Sequence, residues 1–152
     1  MKTIQVAEVC ATSPMQALVV RDDMPLAAAI ARFAHDLQLR GLFLTDGDGR
    51  LTGVINKQDI LNWVRLSLAL PPQTQAPAMT QVRRLVMAET VGHLAAAGSA
   101  ETAVCLHDTL ATALDRMTQY NLTDIPVVDD DGRIVNDLRL SEILAFVLRD
   151  GA

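Results

Sequence analysis

Two polar residues at the start of a predicted helix have the side-chain chemistry of a binding site. Asn56 and Asp59 stand three residues apart, after the apolar run 51–55 and at the start of a helical pattern beginning near Lys57. A carboxylate there can accept two hydrogen bonds from a diol, and the free backbone N–H groups of a helix N-terminus attract a phosphate. The same residues also form a common capping arrangement, worth about 1 kcal/mol, that needs no ligand. Both interpretations stay open at this point.

A related trio, Asn136, Arg139 and Glu142, stands at the start of another predicted helix. Arginine has no hydrogen-bond acceptor, so Arg139 cannot cap the helix and stands where helix-start rules would not place it. One interpretation is that Arg139 pairs with a phosphate while Glu142 accepts hydrogen bonds from a diol. The other, which we favour, is an ordinary surface pair between Arg139 and Glu142.

Other chemistries fail on spacing. The turns that begin at Asp46 and Asp129 resemble calcium loops, but their twelfth positions are Lys57 and Leu140, where a bidentate Glu is needed. The three histidines have no metal-ligand interval, and the glycines within 47–53 have the wrong spacing for a dinucleotide loop. Because no residues assemble into a catalytic pattern, we expect a protein that is not an enzyme and requires no cofactor.

Composition narrows the class of protein further. The chain has 152 residues, of which 50% are hydrophobic, enough for one compact domain or two very small ones. A formal net charge of -5 disfavours a nucleic-acid binder or a polybasic membrane-surface protein. No apolar stretch approaches the roughly 18 residues of a membrane span, and Cys10 and Cys105 lack metal-ligand spacing. We therefore expect a cytoplasmic protein with reduced, packed thiols and with neither nucleic acid nor membrane as a partner.

An internal repeat organises the chain. The segment Asp46–Leu51 returns as Asp129–Ile134, 83 residues later, and the match extends into the flanking helices. Each copy is predicted to contain a strand, a helix, two strands joined by an Asp/Gly turn, and a second helix. The predicted fold class is α/β, of the mixed α+β kind, with a small sheet covered by helices in each copy. Two such units should pack on each other, because each buries little surface alone.

The repeat also predicts domain boundaries. The first copy covers residues 1–70, a proline-containing linker with a short helix covers 71–89, and the second copy covers 90–152. Short apolar leaders, 6–10 and 91–95, precede the first strand of each copy. We expect each leader to dock on the opposite copy.

Several details of the elements follow from local rules. Pro126 predicts an edge strand or a strand start, because proline cannot donate to a sheet ladder. Asp23 or Met24, and Asp108, are the predicted starts of the two first helices, and Arg83 and Arg84 are predicted to face outward from the linker helix. The predicted apolar faces of the first helices are Leu26, Ile30, Phe33 and Leu37 in copy one, and Leu110, Ala113, Leu114 and Met117 in copy two.

The order of these motifs, found twice, resembles the CBS domain. The second copy shows the resemblance in Thr90–Leu94, in an Asp-x-Leu-x-x-Ala-Leu run from Asp108, and in Ile125–Asp129 followed by Asp-Gly-Arg. The first copy shows it in Gly53–Ile60. Because the two copies cover nearly the whole chain, it resembles a stand-alone CBS pair, or Bateman module, whose halves pack with pseudo-two-fold symmetry.

The resemblance implies two clefts for adenosyl ligands such as AMP, ATP, adenosine or S-adenosylmethionine. In the family motif a Gly is followed by a Thr or Ser that contacts phosphate and by an Asp that binds the ribose hydroxyls. Here Gly53 and Asp59 match, while Asn56 replaces the hydroxyl residue. All three corresponding positions of the second copy depart from the motif: Asn136, Arg139 and Glu142.

The resemblance also implies which residues line the adenine slots, namely the first strand of a copy and the segment leading into its second strand. In one cleft these are Leu18, Val19, Gly41 and Leu42. In the other they are Val104, Cys105, Asp124, Ile125 and Pro126. Gly41 is a place where backbone can approach a ligand closely.

The function that this resemblance implies is regulatory. A bound adenosyl ligand would change how the halves pack, and an unidentified protein partner would respond to that change. The resemblance also implies a homodimer formed through the CBS helices. Net acidity favours AMP, adenosine or S-adenosylmethionine over ATP, since few cations are free to pair with three phosphates. The alternative is a ligand-free dimerisation or scaffold module, which the altered motifs favour.

Overall fold

The computed structural model describes residues 3–10, 13–36, 41–70 and 79–151. The first copy folds in the predicted order of strand, helix, two strands and helix. Its elements are β1 Leu18–Arg21, α2 Leu26–His35, β2 Leu42–Thr45, β3 Leu51–Ile55 and α3 Lys57–Ser67. Ahead of them lies the short helix α1 Val6–Cys10.

The second copy repeats this order. Its elements are β4 Val104–Cys105, α5 Leu110–Tyr120, β5 Asp124–Val128, β6 Ile134–Arg139 and α6 Leu140–Phe146, which continues into a π-helical turn, Val147–Gly151. Between the copies lie α4 Met79–Val86 and two 3₁₀ turns, Val91–Leu94 and Ser99–Thr102. The proline-rich part of the predicted linker and Leu37 lie outside the described residues. No helix in the described part of the chain has the length and apolar content needed to cross a bilayer.

Each copy contributes one three-stranded sheet, β1-β2-β3 and β4-β5-β6. The first two strands of each sheet are parallel because a helix connects them, and the last two are antiparallel because a tight turn does. The turns are alike: Asp46 and Asp129 each accept hydrogen bonds from backbone N–H groups two and four residues on. Gly49 and Gly132 both have a φ of 82°, which only glycine adopts without strain.

Equivalent residues of the two copies meet each other. Arg50 and Arg133, 83 residues apart in the repeat, form an antiparallel bridge. Gly41 and Asp124, equivalent by the same shift, are joined by a hydrogen bond from the Gly41 N–H to Asp124 Oδ2 of 3.1 Å. Such contacts between equivalent positions occur on a two-fold axis, so the predicted mixed fold with pseudo-two-fold packing is confirmed.

Pro126 lies within the middle strand of its sheet, so the prediction of an edge strand or strand start is wrong. On one side Pro126 is opposite Asp137 of β6. On the other side β4 has only two residues, which pair with Val127 and Val128. β4 therefore begins opposite Val127, one residue after Pro126. The missing N–H of Pro126 costs no hydrogen bond to β4.

The two leaders are exchanged between the copies, as predicted. α1 packs into the core of the second copy, where Val6 N–H donates to Asp108 O at 2.9 Å. The turn Val91–Leu94 packs into the core of the first copy, where Val91 N–H donates to Met24 O at 2.9 Å. Each hydrophobic core is therefore completed by a segment that precedes the opposite copy.

Three local predictions about helices are wrong: the caps of α5 and α2, and the place of Leu114 on an apolar face. The cap of α5 is Thr109, whose Oγ1 accepts from Thr112 N–H at 3.1 Å, while Asp108 instead accepts from Cys105 N–H at 2.7 Å. α2 begins after Pro25 without any side-chain cap, so neither Asp23 nor Met24 caps it. On the predicted apolar face of α5, Leu114 is 40% exposed, whereas Leu110, Ala113 and Met117 are buried.

Candidate ligand-binding site

At the start of α3, Asn56 and Asp59 form a helix-capping pair. Asn56 Oδ1 accepts from Gln58 N–H at 2.8 Å, and Asp59 Oδ2 accepts from Asn56 N–H at 3.1 Å. The capping interpretation of the sequence is therefore confirmed. Asn56 does more than cap, because its Nδ2 also donates to Tyr120 O of the second copy at 2.8 Å. This amide connects the site to the end of α5.

Asp59 is only 5% exposed and is not free. Arg84 of α4 places its Nη2 3.3 Å from Asp59 Oδ1 and donates from Nη1 to Leu94 O at 2.7 Å. The prediction that Arg84 faces outward is therefore wrong, whereas Arg83 is exposed. Burial raises the pKa of the Asp59 carboxyl, although the Asn56 N–H and the Arg84 guanidinium act in the opposite direction.

A cleft of about 180 Å³ lies beside Asp59, between the two copies; we call it the side cleft. Its lining residues are Val54, Asn56, Gln58, Asp59, Ala96, Ser99, Thr102, Tyr120 and Leu122. Ser99 Oγ accepts from Val54 N–H at 2.9 Å. Thr102 is 1% exposed, and its Oγ1 has no hydrogen-bond partner among the described residues. The side cleft thus combines a buried carboxylate from one copy with a buried hydroxyl from the other.

A larger cavity of about 510 Å³ lies where the copies meet on the two-fold axis; we call it the central cavity. Equivalent segments line it from both sides: residues 56–58 at the start of α3 and residues 139–141 at the start of α6. Gly41 and Asp124 line it as well. A Cβ at Gly41 would stand 2.7 Å from Asp124 Oδ2, so only glycine permits this close approach. The two cavities share Asn56, Gln58 and Leu122 and are therefore adjacent.

Buried charges cluster on the β5–β6 side of the central cavity. Asp124 stands opposite Arg139 in the ladder and is 7% exposed, and the neighbouring Asp137 is 0% exposed. Burial and the nearby Asp137 carboxyl raise the pKa of Asp124 to about 8, against the smaller opposing effects of the Gly41 N–H and Arg139. Asp124 therefore keeps its proton to a higher pH than an exposed aspartate does.

Comparison with known proteins assigns the repeat. A family model of the CBS domain matches residues 6–66 and 101–149. The chain belongs to the CBS-domain family. One matched region lies within each copy, and the gap between them contains α4 and the turn Val91–Leu94. A search of curated proteins finds no match.

Solved structures show the same fold at low sequence identity. A CBS domain-containing protein from Thermotoga maritima is 23% identical, with a TM-score of 0.74 and coverage of 98% of this chain and 97% of that one. CBSX2 in complex with AMP is 19% identical, with a TM-score of 0.69 and coverage of 98% and 99%. A CBS domain pair in complex with 5′-methylthioadenosine and S-adenosyl-L-methionine is 16% identical, with a TM-score of 0.60 and coverage of 95% and 96%.

In the second CBS copy, Arg139 and Glu142 form a buried pair, so the prediction of a surface pair is wrong. Their side chains are 9% and 7% exposed, and Arg139 Nε lies 3.1 Å from Glu142 Oε1. The same oxygen accepts from Arg139 N–H at 3.2 Å, in place of a side-chain cap. Asn136 points elsewhere and donates to Cys10 O at 3.2 Å and Ser13 O at 3.3 Å.

The residues expected at the adenine slots divide between cavity and core. Gly41 and Asp124 line the central cavity. The others lie in the strands of the two CBS copies and line neither cavity: Leu18, Val19, Leu42, Val104, Cys105, Ile125 and Pro126. Cys10 is buried, which raises the pKa of its thiol, and Cys105 is half-buried; both are free. Among the described residues, no group of three or more His, Cys, Asp or Glu could hold a metal ion.

Among the residues in or beside these sites that sequence reasoning missed are Ser99, Thr102 and Asp137. Ser99 and Thr102 belong to the 3₁₀ turn before β4, where no residue pattern marks an inward side chain. Asp137 does carry a signal, because the repeat aligns it with the buried Val54 of the first copy. A carboxylate at an apolar position of a repeat indicates a buried charge.

Proposed function

We propose that this CBS pair is a regulatory module whose side cleft binds an adenosyl ligand, with the ribose hydroxyls at Asp59. The observation that carries the proposal is the pairing of buried Asp59 from one copy with the unpartnered hydroxyl of Thr102 from the other, in one cleft. A ligand bound there would contact both copies. Binding free energy could then depend on how the copies pack.

The comparisons support an adenosyl ligand as the class. CBSX2 is in complex with AMP, and another similar CBS pair is in complex with 5′-methylthioadenosine and S-adenosyl-L-methionine. Titration with AMP, ATP, adenosine and S-adenosylmethionine identifies which adenosyl compound binds.

The two cavities together suit a ligand of this size. The side cleft of about 180 Å³ is smaller than the roughly 300 to 1,000 Å³ that small-molecule sites usually occupy. The central cavity, at about 510 Å³, lies within that range and adjoins the side cleft at Asn56. We infer that the ligand extends from Asp59 past Asn56 toward the central cavity.

Arg84 supplies a route from the ligand to the rest of the protein. Ribose hydroxyls that donate to Asp59 must compete with the Arg84 guanidinium, which occupies Oδ1 in this structure. The same guanidinium holds Leu94 O of the exchanged leader. Ligand binding would therefore shift α4 relative to the first copy, which a partner protein could recognise.

Substitution of Asp59 tests the proposal. We expect Asp59→Asn to weaken adenosyl-ligand binding about tenfold or more. The neutral amide has one acceptor oxygen for the diol, whereas the carboxylate has two and carries a negative charge. Isothermal calorimetry of nucleotide-stripped protein against AMP, ATP, adenosine and S-adenosylmethionine measures the loss. Asp115→Asn, an exposed change on α5, is the matched control.

Equal binding by Asp59→Asn and wild type would show that the site is wrong. No binding of any of the four by wild type would favour the ligand-free scaffold instead, which the Arg84–Asp59 pair also fits.

We also propose a homodimer through the CBS helices. Helices α3 and α6, together with the residues that directly follow them, expose apolar side chains: Leu61 (50%), Leu68 (64%), Leu144 (57%), Val147 (47%) and Leu148 (82%). Because α3 and α6 are related by the internal two-fold, this surface is self-complementary and fits a second copy of the chain.

We expect Leu61→Asp with Leu144→Asp to shift the mass in light scattering from dimer to monomer. Leu114→Asp, an exposed leucine of α5, should leave the dimer intact. A monomeric wild-type protein would contradict the proposal.

A further inference from the structure

We propose that His93 is a proton-sensitive cap on the exchanged leader that completes the core of the first CBS copy. The cap forms only while the imidazole is neutral. Mild acid would therefore loosen the first copy, which carries Asp59, and would leave the second copy ordered. The proposal involves no ligand and does not depend on the proposed function.

The ring of His93 accepts backbone hydrogen bonds at the start of the turn Val91–Leu94. Its Nδ1 lies 3.1 Å from the backbone nitrogen of Glu89 and 3.3 Å from that of Thr90. A ring nitrogen that accepts a hydrogen bond carries no hydrogen, so the imidazole is neutral and has its hydrogen on Nε2. Protonation adds a hydrogen to Nδ1, which would then face two other N–H groups, and both bonds are lost.

The capped segment supports the core of the first copy from the side of α2. Leu26 N–H, at the start of α2, donates to Glu89 O at 3.0 Å. Val91 and Leu94, on either side of the capping ring, are both 0% exposed and belong to this core. Loss of the cap would therefore loosen a segment on which the packing of the whole copy depends.

The other leader has an equivalent cap with a different acceptor. At the start of α1, Gln5 N–H donates to Glu8 Oε2 at 2.8 Å. Glu8 and His93 each stand two residues after a fully buried valine, Val6 and Val91. A carboxylate ordinarily titrates near pH 4, whereas an imidazole ordinarily gains a proton between about pH 8 and pH 5. Between these ranges, acid removes the cap from one leader only.

The elements packed against the turn bring charges of both signs to it. Arg84 of α4 donates to the last carbonyl of the turn at 2.7 Å, and it pairs with Asp59 of α3 at 3.3 Å. Asp22 O, before α2, accepts a backbone bond from the turn at 3.0 Å, and Glu89 directly precedes the turn. Because Arg84 and Asp59 offset each other, the remaining charges are the two carboxylates. Both attract a protonated His93, so neither opposes the switch.

Hydrogen exchange read by mass spectrometry at pH 7.5 and pH 5.5 tests the proposal, with rates corrected for the intrinsic effect of pH on amide exchange. In wild type, the protection of peptides spanning 41–55 should fall about fivefold at pH 5.5 relative to peptides spanning 124–139. A lost cap changes an opening equilibrium by about that factor. The second set of peptides belongs to the second copy and is the internal control.

Substitutions of His93 should remove this fall. His93→Glu reproduces the cap of α1, and His93→Gln supplies an amide oxygen, so both keep an acceptor that gains no proton over this range. His35→Gln, an exposed change on α2 of the same copy, is the matched control and should keep the fall. Glu89→Gln should keep it as well, which separates the ring from its acidic neighbour.

A reciprocal exchange of the two caps gives the sharpest result. Glu8 is exposed, so Glu8→His should fold and should transfer the acid-sensitive cap to α1. In the double variant Glu8→His with His93→Glu, peptides spanning 124–139 should lose protection at pH 5.5 while those spanning 41–55 keep it. No fall in wild type, or the same fall in wild type, His93→Glu and His93→Gln, would overturn the proposal.

Discussion

Asp124→Asn is expected to stabilise the folded protein at pH 8 and to flatten the dependence of its stability on pH. Burial and Asp137 raise the pKa of Asp124 to about 8 in the folded state, while in the unfolded chain the carboxyl titrates near pH 4. Between these values the folded protein holds a proton that the unfolded chain releases. The free energy of unfolding therefore falls as pH rises through this window, by at most about 1.4 kcal/mol per pH unit.

Above pH 8 this fall should level off, because both states are then ionised. Asparagine does not titrate, and its carbonyl oxygen can still accept from the Gly41 N–H that bonds to Asp124 Oδ2. Urea unfolding at pH 5, 6, 7, 8 and 9 measures the slope in each protein. Asp115→Asn, on the exposed face of α5, controls for a simple change of net charge. A slope in Asp124→Asn equal to that of wild type would show that Asp124 does not hold the proton.

The order of elements could be predicted from the sequence because its signals are local and occur twice. Asp46 and Asp129 accept backbone hydrogen bonds within their own turns, so the residues of the turn decide its shape. The capping pair of Asn56 and Asp59 is equally local. The repeat then converts one well-marked copy into a prediction for the other.

The errors came from contacts between distant segments. Arg84 is predicted to face outward together with Arg83, but its partner Asp59 lies 25 residues earlier in the chain. The rule that places Pro126 on an edge strand or at a strand start takes no account of the length of the neighbouring strand, and β4 has only two residues. Packing between the copies determines which side chain a buried charge contacts. The spacing of residues along the sequence does not specify that packing.

The candidate site was predicted only in part for the same reason. Asn56, Gly41, Asp124 and Arg139 do line one cavity, because equivalent positions of a repeat meet on its two-fold axis. Ser99 and Thr102, the hydroxyl residues of the side cleft, could not be predicted. They lie in the turn between the exchanged leader and β4, and that turn packs against β3 of the first copy. Because of that exchange, residues of both copies line the side cleft and the central cavity.

Leader exchange predicts that a cavity at Val6 will loosen the second copy, and one at Val91 the first. Both side chains are 0% exposed, Val6 in the core with Ile125 and Leu138, and Val91 in the core with Leu42. Val6→Ala and Val91→Ala should each lower the free energy of unfolding by about 1 to 3 kcal/mol, through lost burial and the cavity left behind.

The location of the loosening distinguishes exchange from packing within a copy. Hydrogen exchange read by mass spectrometry should rise most in peptides spanning 124–139 for Val6→Ala, and in peptides spanning 41–55 for Val91→Ala. Val135→Ala, at a side chain that is 48% exposed, should change neither region. The opposite pattern would mean that each leader packs on its own copy. With the exchanged pattern, a ligand that moves α4 and the Val91–Leu94 turn would act on the core of the first copy, and so would connect the side cleft to the stability of a whole CBS unit.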